Sequence, residues 1–82
     1  MTRFKNKVFI ITGSSQGLGR AIARKVLIEG GKVLLNGRSE AKADEVLSIF
    51  SEFADQVVYV GADVSTAEGA KTIVDEAIKS FG

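Results

Sequence analysis

The chemistry-bearing stretch of this chain is Thr12-Gly13-Ser14-Ser15-Gln16-Gly17-Leu18-Gly19-Arg20, which follows the apolar run Val8-Phe9-Ile10-Ile11 and leads into a helical pattern from Leu18 onward. A strand, a glycine loop and a helix in that order suit a bound phosphate. Glycines let the backbone turn sharply and let a ligand approach the main chain. The free N–H groups and the positive dipole end of the following helix favour an anion there. The spacing Gly13-x3-Gly17-x-Gly19 is not the triphosphate loop, which requires Gly-Lys-Ser/Thr, and it is not G-x-G-x-x-G. A tight turn without a ligand would also use these glycines. Two further groups bear chemistry. Arg38, in Gly37-Arg38-Ser39, offers a planar, permanently charged fork that fits a phosphate. Asp63, in Ala62-Asp63-Val64, offers a carboxylate acceptor beside an apolar Val64.

Three repeats of strand and helix would position these groups. Val8–Thr12 reads as a first strand whose consecutive apolar residues predict burial on both faces, as in the middle of a parallel sheet. A helix from about Gln16 to Ile28 is predicted by Leu18, Ile22 and Val26, with Ala21 and Ile28 beside them, and Gly30-Gly31 ends it. Lys32–Asn36 reads as a second strand. Ser39 is the predicted cap of a second helix, whose stripe is Ala43, Val46, Leu47, Phe50 and Phe53. At that spacing Phe50 and Phe53 are core residues, not a base-stacking platform. Val57–Gly61 reads as a third strand. Ser65-Thr66-Ala67-Glu68 is a predicted capping box opening a third helix, with Ala70, Ile73, Val74, Ala77, Ile78 and Phe81 along one face. Short right-handed crossovers then give an α/β fold: three parallel strands in the order 3-2-1 with helices on both faces, half of a doubly wound sheet. The 82 residues read as one domain without linker, repeat or low-complexity segment.

In such a fold a dinucleotide lies across the carboxyl ends of the strands. Thr12–Gly19 would hold its pyrophosphate. An acid near Gly37-Arg38-Ser39 would bind the adenosine ribose hydroxyls and mark NAD. None is present at that turn, Gly37 leaves room, and Arg38 favours NADP over NAD. The alternative for Arg38 is a surface cation balancing Glu40 or Asp44. Asp63 would accept from the adenine amino group and Val64 would pack on the ring, the alternative being a turn residue ahead of a helix.

Taken together, Thr12-Gly13-Ser14-Ser15-Gln16-Gly17-Leu18-Gly19, Asn36-Gly37-Arg38-Ser39 and Asp63-Val64 resemble three successive signatures of the classical short-chain dehydrogenase/reductases. The resemblance covers the whole chain. It implies a Rossmann fold in which Ser14, Ser15 and Leu18 line the phosphates, Arg38 takes the 2′-phosphate, Asp63 and Val64 hold adenine, and Ser39 belongs to the same cofactor site. It also implies an oxidoreductase acting on a carbonyl or an alcohol, the 3-oxoacyl-carrier-protein reductases being one such branch. The sequence departs from the family after the third helix. Asn-Asn-Ala-Gly, the catalytic serine and Tyr-x3-Lys do not occur, and the lone Tyr59 is followed four residues on by Asp63. The expectation is the cofactor-binding half of such an enzyme, ending after its third helix and inactive alone.

Composition narrows the alternatives. The absence of histidine removes the commonest general base and metal ligand, and the absence of cysteine removes disulfides and thiolate metal sites. No signal peptide and no membrane-length apolar run are read, so the expected setting is the cytoplasm. Residues 1–38 carry eight Lys/Arg and one acid, and residues 39–82 carry three Lys and nine acids. The basic half suits a polyanion near the glycine loop. Its cations are scattered, without aromatic platforms, so a nucleic-acid partner is not expected. A domain this small buries only about 60–65% of its unfolded surface. With no fourth strand, the first strand becomes an apolar edge that invites pairing. The expected partner is a second copy, joined antiparallel through the first strand into a six-stranded sheet, with a swapped arrangement as the alternative. A second reading of function is a self-assembling half-fold that binds no cofactor.

Overall fold

The computed structural model of the chain describes residues 4–13 and 17–82. Strands β1 (Val8–Thr12), β2 (Lys32–Gly37) and β3 (Val57–Gly61) lie parallel in the order β1-β2-β3. This is the 3-2-1 order expected, counted from the other edge. Register places Thr12 opposite Asn36 and Gly37 opposite Gly61, so three chain ends emerge at one edge.

Alternation along β2 divides the core. Val33 and Leu35 face helices α1 (Gly17–Ile28) and α2 (Ala43–Ile49), in a cluster with Ala23, Val26, Leu27, Val46, Phe50, Val57 and Tyr59. Leu34 faces α3 (Ala67–Phe81), in a second cluster with Val60, Ile73 and Ala77. Val33, Leu34 and Leu35 have no exposed surface. Burying each such side chain contributes about 1.5–3 kcal/mol. The strand covered on both faces is therefore β2. Burial of β1 on both faces is corrected: Val8 and Ile10 are 44% and 43% exposed, and only Phe9 and Ile11 reach the core, half-buried. The physical reason is position, since β1 pairs with β2 alone and α3 buries Leu34 and Val60 instead.

The helical faces are rotated from those expected. In α1 the buried residues are Ala23, Val26 and Leu27, whereas Leu18, Ile22 and Ile28 are exposed. Ala23 allows close approach to the sheet. In α3, Ile73 and Ala77 are buried while Val74 and Ile78 are exposed. The end of α1 matches its expectation. Gly30 has a φ of +89°, and the bonds Gly30 N–H to Leu27 carbonyl (3.1 Å) and Gly31 N–H to Val26 carbonyl (2.9 Å) close a Schellman cap.

Two caps are corrected. Ser39 is extended, makes no side-chain cap bond, and precedes a 3-10 turn over Glu40–Lys42 rather than a regular helix. The cap of α3 is Thr66, whose hydroxyl accepts from Gly69 N–H at 2.9 Å. Ser65 is taken by Asp63 instead: its N–H and hydroxyl donate to the carboxylate at 2.9 and 2.6 Å. That shift leaves Glu68 one residue short of the reciprocal capping position. The stripe on the second helix holds, with Val46 and Phe50 buried and Ala43, Leu47 and Phe53 packed beside them. The helix itself breaks at Phe50 into a 3-10 segment over Ser51–Gln56. Arg24 stabilises the break, donating to the Ile49 carbonyl (3.1 Å) and to Glu52 (2.9 Å) with its guanidinium 5.3 Å from the Phe50 ring centre.

Candidate functional site

The carboxyl ends of the three strands enclose an open cleft of about 480 Å³. Thr12 and Gly13 come from the end of β1, Asn36 and Gly37 from β2, and Arg38, Ser39 and Lys42 from the turn beyond it. Tyr59, Ala62 and Val64 close the β3 side. Gly13 sits at φ +65°, and a Cβ there would meet nothing within 4 Å among the described residues, so the main chain is bare toward them.

The floor is rigid for a specific reason. Asn36 is 2% exposed, and its side-chain amide donates to the carbonyls of Val60 (2.9 Å), Ala62 (3.1 Å) and Gly37 (3.2 Å). The Ala62 N–H donates back to the Gly37 carbonyl at 3.0 Å. Together these bonds fasten the ends of β2 and β3 where regular pairing stops. The turn above is held by Tyr59, whose hydroxyl donates to the Ser39 carbonyl at 2.8 Å. Burial, then the Glu40 charge, pushes the Tyr59 phenol above its usual pKa, so it remains a donor.

Arg38 and Lys42 are exposed on the wall of the cleft, and among the described residues no Asp or Glu lines it. Neither cation forms an ion pair among the described residues, so the alternative of Arg38 balanced by Glu40 or Asp44 has no contact behind it. The guanidinium does reach Asp63 electrostatically. The Asp63 carboxyl is held below the usual carboxylate range, first by the Ser65 hydroxyl and N–H and then, more weakly, by Arg38.

Of the sequence-predicted residues, Gly13, Arg38, Ser39 and Val64 converge on the cleft. Asp63 lies next to it with its carboxylate turned to Ser65. Gly17, Leu18 and Gly19 form the first turn of α1 and are not part of the cleft wall. Ser14, Ser15 and Gln16 lie outside the described residues. Lys42 was not anticipated; its only sequence signal was a lysine four residues after Arg38, one turn on if the turn coils. Tyr59, expected as a plain sheet residue, is both core and cleft wall.

A family profile described as short chain dehydrogenase matches residues 7–82. The chain belongs to that family. Glucose 1-dehydrogenase 2 of Bacillus subtilis is 42% identical to this chain over 77 residues, covering 93% of this chain and 30% of that protein. The crystal structure of the C-domain of a bacterial malonyl-CoA reductase with NADP superposes with a TM-score of 0.83 at 34% identity, covering 96% of this chain and 13% of that one. A short chain dehydrogenase/reductase from Burkholderia phymatum in complex with NAD superposes with a TM-score of 0.85 at 32% identity, covering 100% of this chain and 29% of that one. The chain spans about a third of the length of the curated relatives it matches. Structural neighbours of this fold therefore bind both nicotinamide dinucleotides.

Proposed function

We propose that this chain binds the adenosine and phosphate portion of a nicotinamide dinucleotide, NADP in preference to NAD, within an oxidoreductase that interconverts a carbonyl and an alcohol. The observation that carries the preference is the charge of the cleft wall: Arg38 and Lys42 on it, and no carboxylate. A 2′-phosphate meets a bidentate donor there, whereas a free ribose diol meets no acid to accept its hydroxyl protons. The bare main chain at Gly13 and the loop Ser14-Ser15-Gln16-Gly17-Leu18-Gly19 suit the pyrophosphate. Val64 suits the adenine face, with Asp63 at its edge. The nicotinamide would supply hydride transfer.

Proton transfer is another matter. No tyrosine in these residues has a lysine four positions on, and Tyr59 is committed to Ser39. This chain's part is therefore binding, and we infer that it is inactive alone; the 3-oxoacyl thioesters are one carbonyl class the parent activity would suit. A charge-assisted hydrogen bond is worth about 1.5–3 kcal/mol. Replacing Arg38 by alanine should then weaken NADP by roughly ten- to a hundredfold in a calorimetric titration while leaving NAD nearly unchanged. Equal loss for both cofactors would defeat the reading.

Among the described residues no helix is long and apolar enough to cross a membrane. A reducing aqueous compartment, the cytoplasm, is the setting proposed for a cysteine-free dinucleotide binder. A second reading concerns assembly. Among the described residues no strand pairs with the outer edge of β1, and Val8 and Ile10 are exposed on that strand. Those features favour a homodimer through antiparallel β1 strands.

A further inference from the structure

We propose that Tyr59 is a positioning residue for recognition of the 2′-phosphate: its hydroxyl sets the height of the turn that carries Arg38. This rests on the reading of Arg38 given above. Arg38 itself is exposed and unpaired among the described residues, so its aim depends on the backbone beneath it. Asn36 and the Ala62 N–H hold the Gly37 carbonyl, and the Lys42 N–H donates to the Ser39 carbonyl at 3.3 Å; three further contacts set the backbone against β3. The Tyr59 hydroxyl donates to the Ser39 carbonyl at 2.8 Å, one residue beyond Arg38. Gly37, one residue before Arg38, presses directly on the same group: a Cβ at position 37 would overlap the Tyr59 hydroxyl oxygen. Further along, Gly61 lets β3 abut the turn, since a Cβ there would lie 2.5 Å from the Glu40 backbone nitrogen and 2.7 Å from its Cα. The phenol thus touches the chain on both sides of Arg38. The Ser39 side chain makes no cap bond, so it adds no hold beside the backbone one. Leu35 stands opposite Tyr59 in the sheet, and Tyr59 belongs to the main core cluster, so the phenol ring is anchored from below.

Removing the hydroxyl should loosen the turn without emptying the core, because phenylalanine keeps the ring. The phosphate-dependent part of binding should then suffer and the rest should not. The test titrates the 82-residue chain, Tyr59→Phe and Arg38→Ala with 2′,5′-ADP and with 5′-AMP by calorimetry. The expected result for Tyr59→Phe is an affinity for 2′,5′-ADP lowered about fivefold, the worth of one ordinary hydrogen bond, with 5′-AMP affected less than twofold. A double variant with Arg38→Ala should lose little more than Arg38→Ala alone, because both act through one contact. Unchanged selectivity in Tyr59→Phe, or an equal loss for both ligands, overturns the proposal while leaving the role of Arg38 intact. Selectivity unaffected by Arg38→Ala overturns the reading of Arg38 and this proposal with it. The unaltered chain gives a second measurement that needs no variant. Tyr59 is its only tyrosine, so a ring-labelled tyrosine NMR signal reports this group alone. The signal should shift with 2′,5′-ADP well beyond its shift with 5′-AMP, and equal shifts would overturn the proposal.

Discussion

The side-chain amide of Asn36 donates to the carbonyl of Val60, its own register partner across β2 and β3, at 2.9 Å, one pair before that pairing ends. Two more carbonyls, of Ala62 and Gly37, share the same donor. Asn36→Leu fills the space but takes the side-chain donor from the Val60 and Ala62 carbonyls, at a cost of about 1–3 kcal/mol, while the Gly37 carbonyl keeps the Ala62 N–H. Asn36→Asp should cost more, since it turns a carboxylate toward those carbonyls. Urea unfolding of both variants checks the order. Equal stability to the parent chain would remove Asn36 from its role as fastener.

Gly37 and Tyr59 should be energetically coupled. Gly37→Ala drives a methyl group into the phenol oxygen and should destabilise by about 1–3 kcal/mol, as overpacking does. In a Tyr59→Phe background much of that penalty should disappear, since the overlapping oxygen is gone and the ring carbon at 3.2 Å need give way by only a few tenths of an ångström. A double-mutant cycle from thermal or urea unfolding measures the coupling. Strict additivity would mean that the chain relieves the contact elsewhere.

How much of this was legible in the sequence depends on what each element needed. The strands and their order followed from local pattern, because apolar runs joined by short right-handed crossovers specify them directly. Tyr59 looked like any sheet residue, since its contacts with Ser39 and Gly37 come from segments about twenty residues away that only the fold brings together. Leu18, Ile22, Val74 and Ile78 have helical spacing yet remain exposed, because periodicity shows that a stripe exists but not which way the helix is rotated. Ser65 was misread for a local reason. Asp63 two residues earlier competes for its N–H and hydroxyl, and the cap passes to Thr66.

The pH response should have two separate limbs. The folded Tyr59 phenol holds its proton above the ordinary value of 10.0, so its contribution is complete below pH 10 and is lost as pH rises toward the folded-state value. Tyr59→Phe should lack that alkaline loss. Asp63 has the opposite sign: its folded pKa lies below 3.8, so its contribution is present above that value and is lost on further acidification. Asp63→Asn keeps the turn geometry and should flatten that acid limb. Unfolding curves between about pH 2 and 11 separate the two effects, and identical profiles for all three chains would contradict both assignments.

Self-association through β1 should respond to one charge. Ile10 is 43% exposed on β1, whose outer edge has no strand beside it among the described residues. Ile10→Lys places an ammonium along that edge and should convert a dimer into a monomer in sedimentation velocity. A parent chain that stays monomeric at high concentration would remove the edge-pairing proposal.

The central claim concerns the phosphate that distinguishes the two cofactors. Calorimetric titration of the unaltered chain with NADP and with NAD, in one buffer at one ionic strength, tests it directly. The account predicts that NADP binds at least about tenfold more tightly, as one charge-assisted contact to Arg38 requires. Equal affinities, or a preference for NAD, would contradict it.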